Sequence, residues 1–205
     1  MKLAGSSRRP DRAGSPRRAA PPALPRLATE RMSLRALADA DLDDFRRLEA
    51  DPRVMRYIGD GRPPAAARID AMVARVLGYP SLYPGLGCWC ARRRDDREFL
   101  GWFVLKYCGR SCDVEVGYRL RPEAWGRGYA TEGARIVVRH AFDELELDRL
   151  IGVTHPDNVA SQRVLMKAGL ADAGWGHYYG RRLRLFAARR FDFGAADDGV
   201  DGRRR

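Results

Sequence analysis

The run Trp125-Gly126-Arg127-Gly128-Tyr129-Ala130-Thr131-Glu132-Gly133 is the part of this 205-residue chain best suited to chemistry. Gly126 and Gly128 let the backbone approach a ligand with no Cβ in the way. Tyr129, Gly133, Ile136, Val137, His140 and Ala141 then recur at helical spacing, so a helix starts where the glycines end. The unpaired N–H groups of its first turn suit an anion such as a pyrophosphate. Two other phosphate patterns fail. A nucleotide-hydrolysing loop ends in Gly-Lys-Ser/Thr, whereas Tyr129 and Ala130 follow Gly128. A dinucleotide fingerprint has its third glycine three residues after the second, whereas Gly133 comes five after Gly128, and the strand ending Thr154-His155 supplies no acidic residue. A turn that binds another kind of anion and a turn that merely starts a helix both fit what is left.

The elements around this turn follow from periodicity. Val114, Val116, Tyr118 and Leu120 alternate on one side of a strand over residues 113–120, with Glu115 on the other. Upstream, Leu27 to Leu37 reads as a first strand and Asp39 to Ala50 as a helix, acidic early and basic late as its dipole prefers, stopped by Asp51-Pro52. A second helix is expected from Pro64 to Leu77, with Ile69, Met72, Val73 and Val76 as its apolar stripe, and Tyr79-Pro80 to Gly87 as a loop. Cys88 to Arg92, Phe99 to Tyr107 and the strand at 113–120 form an antiparallel meander. After the glycine turn come its helix to about Phe142, a strand Arg149 to Thr154, a helix Val159 to Ala168, and a strand pair at Ala171–Trp175 and Arg182–Arg189. The order β-α-α-β-β-β-α-β-α-β-β implies an α/β (α+β) domain with a mixed central sheet and helices on both faces.

With these elements in place, Trp125 to Gly133 resembles motif A of the GNAT superfamily of acyl-CoA-dependent N-acyltransferases, Q/R-x-x-G-x-G/A. Gly128 stands as its glycine and Ala130 as the final small residue, while Trp125 departs from the usual Gln or Arg. The Trp-Gly-x-Gly-Tyr-Ala-Thr-Glu form is similar to the branch of ribosomal-protein N-terminal acetyltransferases. So are His155 to Leu170, with Asn158 and Ser161 in an N-x-x-S pattern, and Tyr178-Tyr179-Gly180-Arg181. The resemblance implies direct acetyl transfer from acetyl-CoA, as co-substrate, to an amine, with no metal. It sets Glu115 as general base, against the plainer reading of a salt-bridged strand carboxylate. Asn158 and Ser161 become cofactor and leaving-group contacts, Asn158 also serving as a helix cap. Tyr178 or Tyr179 is an alternative proton donor to the thiolate. Leu120 and Arg121 run beside the pantetheine arm, and the segment Trp125, Gly126, Arg127, Gly128, Tyr129, Ala130 and Thr131 holds the pyrophosphate. Gly117 fits a strand bulge at the acetyl group. Trp89, Trp102 and Trp175 line the acceptor pocket or fill the core.

Composition bounds the rest. A 45% hydrophobic content suits one well-buried domain, and no apolar run approaches bilayer length or a secretory signal, so a cytoplasmic chain without membrane contact is expected. The net charge of +11 is uneven: residues 1–26 contribute +6, residues 192–205 contribute −1, and the body +6. This sets a disordered basic leader at 1–26, a GNAT-type domain at 27–191 and a disordered tail at 192–205. The leader is a solvated arm, or a weak contact for RNA or the ribosome. Cys88, Cys90, Cys108 and Cys112 lack the usual zinc spacings and read as reduced thiols. The acceptor is a protein N-terminus or a small-molecule amine, the chain a monomer or homodimer, and an acyl-CoA-binding sensor that does not transfer is the alternative function.

Overall fold

The computed structural model describes residues 24–109 and 112–197, with side chains to residue 193. Eight strands form one sheet: β1 (Leu27–Ala28), β2 (Met32–Ala36), β3 (Gly87–Arg93), β4 (Phe99–Tyr107), β5 (Val114–Leu120), β6 (Arg149–Thr154), β7 (Ala171–Tyr178) and β8 (Arg181–Arg189). Their spatial order is β1-β2-β3-β4-β5-β6-β8-β7, and every neighbouring pair is antiparallel except β5–β6. The helices are α1 (Leu42–Glu49), α2 (Pro52–Met55), α3 (Ala66–Leu82), α4 (Tyr129–Asp143), α5 (Val159–Lys167) and α6 (Arg190–Asp197). Helix α4 is the crossover that lets β6 run parallel to β5.

Strand alternation builds a core on each face of the sheet. Trp89, Phe103, Leu105, Val116 and Leu150 pack with Val137, Val138 and Phe142 of α4, while Cys88, Cys90, Trp102 and Val104 pack with Phe45 and Leu48 of α1 and Ile69 and Val73 of α3. Gly133 is what lets α4 lie close to the sheet, because a Cβ there would run into the ring of Phe103. Among the described residues no helix is long and apolar enough to cross a membrane.

Several expectations change. The first strand is a hairpin: the chain turns at Thr29, whose N–H donates to Met32 O (2.9 Å), and β1 folds back on β2. Asp51-Pro52 ends α1 and also starts α2, with the Asp51 carboxylate accepting from Arg53 N at 2.8 Å and proline at the first helical position. Helix α3 continues through Tyr79-Pro80, where a loop is expected, and Tyr83 N still bonds Tyr79 O at 3.0 Å. Packing overrides the missing N–H, since the Pro80 ring and Leu24 sit together over Gly87. Leu24 is buried, and Pro25 O accepts from the Trp89 indole (2.8 Å), so the fold takes in residues assigned to the leader. At the other end α6 runs past residue 191, with Phe193 against Phe142 (5.0 Å between ring centroids). The leader up to residue 23 and the last eight residues lie outside the described residues.

Candidate active site

The parallel pair β5–β6 is joined at only two steps, Val114↔Leu150 and Glu115↔Ile151. Beyond them β5 runs on to Leu120 and β6 to Thr154 without pairing, which leaves a cleft in the sheet, closed at Glu115 and open toward the glycine turn. The β4–β5 register stays continuous through Gly117, paired with Val104, so the expected bulge is absent and the opening lies between β5 and β6. Ligands in open α/β sheets bind at such a switch point.

At the open end Gly126 (φ 71°) and Gly128 (φ 84°) both adopt the left-handed conformation, and Gly128 caps α4. A side chain at Gly126 would meet nothing within 4 Å, so the turn presents bare backbone outward. The half-exposed Trp125 donates its indole N–H to Leu120 O (2.8 Å), tying the turn to the end of β5. From behind, Arg31 donates Nη1 to Arg127 O (2.9 Å) and Nε to Glu132 Oε2 (2.7 Å), and its guanidinium lies 4.5 Å from the Tyr129 ring centroid. Ala130 and Thr131 follow, half-buried, in the first turn of α4. Arg121 pairs with Glu98 (3.0 Å) and Glu123 (3.4 Å), and the exposed Arg127 helps to line a cleft beside the turn.

At the closed end, Lys106 stands opposite Glu115 in the β4–β5 register and donates Nζ to Glu115 Oε2 at 2.8 Å. The Tyr179 hydroxyl donates to the same carboxylate oxygen, accepts from Lys106 Nζ, and lies 3.4 Å from Cys108 Sγ. Tyr179 sits in the β7–β8 turn at φ 54°, and the hairpin tip curls over the sheet to bring its phenol to Glu115. Its ring is half in solvent but its hydroxyl is enclosed, and that burial, with the charge of Glu115, raises its pKa and keeps it a neutral donor. Of the two candidate tyrosines, Tyr178 ends β7 with its ring over Gly176. It is therefore Tyr179 that joins Glu115.

Along the cleft the Ser161 hydroxyl lies 3.0 Å from that of Tyr118, joining α5 to β5. Asn158 caps α5 and accepts from Ser161 N at 3.1 Å. Burial pushes the Tyr118 phenol up to about 12, so it too stays neutral. Periodicity had set Tyr118 among core residues, which hid its partnership with a serine 43 positions away. Lys106 and Arg31 were missed for the same reason, since cross-strand register and long-range pairing leave no local pattern.

On the other face, Trp102 donates Nε1 to Glu49 Oε1 (3.0 Å), and Arg119 ion-pairs with Glu49 Oε2. Trp89 fills the core, and Trp175, 44% exposed, stacks with Arg182 (4.5 Å) and Arg184 (5.2 Å). Cys88, Cys90 and Cys108 are buried, Cys112 is exposed, and all four are unpaired.

Comparison with known proteins agrees with this architecture. Residues 31–171 match the family model described as an acetyltransferase (GNAT) domain. The FsC-acetyl coenzyme A-N(2)-transacetylase of Aspergillus fumigatus is 35% identical over 156 residues, covering 72% of this chain and 66% of that protein. This chain thus spans just under two thirds of the fungal protein's length. An uncharacterized N-acetyltransferase of Bacillus subtilis, YoaA, is 30% identical over 155 residues, 74% of this chain and 85% of the relative. The crystal structure of an acetyltransferase from Agrobacterium tumefaciens superposes with a TM-score of 0.72 at 26% identity, covering 82% of this chain and 95% of that one. The parallel step that opens at Glu115, the glycine turn beyond it and these matches together make the chain a member of the GNAT family of N-acetyltransferases.

Proposed function

We propose that this chain moves the acetyl group of acetyl-CoA directly to an amine of α-amino type, on a protein N-terminus or a small molecule, with Glu115 as the base. The observation that carries this reading is the position of Glu115 at the last paired step of β5 and β6, at the closed end of the cleft that runs from the glycine turn. The left-handed glycines and the bare face at Gly126 support a pyrophosphate held by the amides of Arg127 to Thr131. The pantetheine arm then follows the β5 edge by Leu120 and Arg121. Trp125 contributes by fixing the turn to Leu120 O.

The acceptor amine loses a proton before it attacks the thioester. Glu115 takes that proton, directly or through a water. Tyr179 and Lys106 fix the carboxylate's orientation. The ammonium of Lys106 also adds a positive charge where the acceptor arrives. An α-amine, with a pKa of about 8, enters as the neutral base far more readily than a lysine-type amine with a pKa of about 10. The departing thiolate, whose parent pKa is about 8.5, is a tolerable leaving group, and Ser161, backed by Tyr118, hydrogen-bonds it. The printed name of the fungal relative, a transacetylase using acetyl coenzyme A at an N(2) position, supports a nitrogen acceptor.

The test is thiol release from acetyl-CoA with a panel of N-terminal peptides, small α-amines and lysine-type amines at neutral pH. Turnover led by the α-amines is expected. Turnover led by lysine-type amines overturns the acceptor class, and acetyl-CoA binding with no turnover on any amine favours a sensor.

A further inference from the structure

Arginine supplies 35 of the chain's 38 basic residues, and the lysines are Lys2, Lys106 and Lys167. One of the three stands at the closed end of the cleft. Its Nζ is 2.8 Å from Glu115 Oε2, and it also donates to the Tyr179 hydroxyl. The Lys106 side chain is 33% exposed, and it swings on four carbon–carbon bonds. An arginine at 106 would keep the ion pair, and with a flatter, multidentate donor. What it would not offer is a nitrogen that can lose its proton, because a guanidinium stays charged with a pKa above about 12. A lysine nitrogen in contact with the base has the relation to Glu115 that an acceptor amine needs.

We propose that Lys106 is a self-acetylation site, modified by the chain's own activity when acetyl-CoA is bound and no acceptor is present. The inference rests on the reading of Glu115 as base. Glu115 takes a proton from the Lys106 ammonium, and the freed amine attacks the acetyl carbonyl. The N–C bond forms, the C–S bond breaks, and the electron pair leaves on the CoA sulfur. Of the two protons lost by the nitrogen, one ends on the CoA thiol and one in solvent. The product is a neutral amide that no longer pairs with Glu115, so modification changes the charge around the base.

The test uses the purified full chain with isotopically labelled acetyl-CoA and no amine, read by mass spectrometry of the Lys106 and Lys167 peptides. Lys167 is exposed in the last turn of α5 and reports direct chemical acetylation by the thioester. Label is expected on Lys106 at least about tenfold faster than on Lys167, since a positioned base contributes more than that. The rate constant should not depend on protein concentration, and Glu115→Gln should bring Lys106 down to the Lys167 level. In Lys106→Arg the label on Lys167 should be unchanged. Labelling of Lys106 no faster than Lys167, or equally fast in Glu115→Gln, overturns the proposal. The same preparations are assayed for thiol release with the amine panel. Glu115-dependent turnover beside an unlabelled Lys106 overturns self-acetylation alone, and an unlabelled Lys106 beside turnover that persists in Glu115→Gln overturns the role of Glu115 as well.

Discussion

Replacing Arg119 by Met should destabilise the fold in a way that depends on pH. The Glu49 side chain has no exposed surface, and its carboxylate is held by Arg119 and by the Trp102 indole at 3.0 Å. Burial raises the Glu49 pKa above its ordinary 4.5, while the charge of Arg119 and the Trp102 donor pull it down. Between the ordinary value and the raised one the folded chain keeps a proton that the unfolded chain has lost, so stability is greatest below this window and falls as pH rises through it. Arg119→Met preserves bulk but removes the cation, extending the window upward. One proton is worth at most about 1.4 kcal/mol per pH unit, which keeps the added loss between pH 4.5 and 7 below about 3.5 kcal/mol, the parent itself already losing part of that range. Breaking a buried ion pair from one side generally costs about 3–5 kcal/mol, in agreement. Urea unfolding should therefore find the variant within about 1 kcal/mol of the parent at pH 4.5 and more strongly weakened at pH 7, by up to about 3 kcal/mol. Adding Glu49→Gln should restore most of the difference. An equal loss at both pH values, or no recovery in the double variant, refutes the reasoning.

Gly128→Glu forces a side chain onto a residue at φ 84°, with its Cβ 3.3 Å from Arg31 Nη2, so it strains the turn and adds a negative charge beside the pyrophosphate's place; calorimetry should detect no acetyl-CoA binding, and unchanged affinity would remove the phosphate role of the turn. Gly133→Ala drives a methyl into the Phe103 ring and should cost about 1–3 kcal/mol in urea unfolding, with a loss under about 0.5 kcal/mol counting against tight α4–sheet contact. Tyr179→Phe keeps the ring near Lys106 (4.8 Å) but removes the donor to Glu115, so kcat should fall about tenfold or more while Tyr178→Phe stays near the parent; equal losses in the two variants would contradict the assignment to Tyr179.

What the sequence made legible was local. Alternation over residues 113–120 set Glu115 opposite Val114 and Val116, and glycine chemistry marked the start of α4, because both depend on neighbours along the chain. The mixed sheet followed from the order of elements. Pairings distant in sequence were not legible: Lys106 with Glu115 depends on strand register, and Ser161 with Tyr118 on how α5 packs over the cleft. The choice between Tyr178 and Tyr179 turned on one left-handed residue at a hairpin tip, a conformation that a tyrosine does not advertise. Pro80 misled in the other direction, since proline usually ends a helix and here sits inside one with its ring over Gly87.

The most direct test of Glu115 as the base compares the parent and Glu115→Gln by thiol release at saturating acetyl-CoA with the best amine from the panel, alongside acetyl-CoA titration of both. The expected result is a fall in kcat of about 10²–10⁴-fold with acetyl-CoA affinity unchanged. A Glu115→Gln chain that binds acetyl-CoA and turns over at the parent rate would reduce Glu115 to the ion-pair partner of Lys106 and contradict its role in proton transfer.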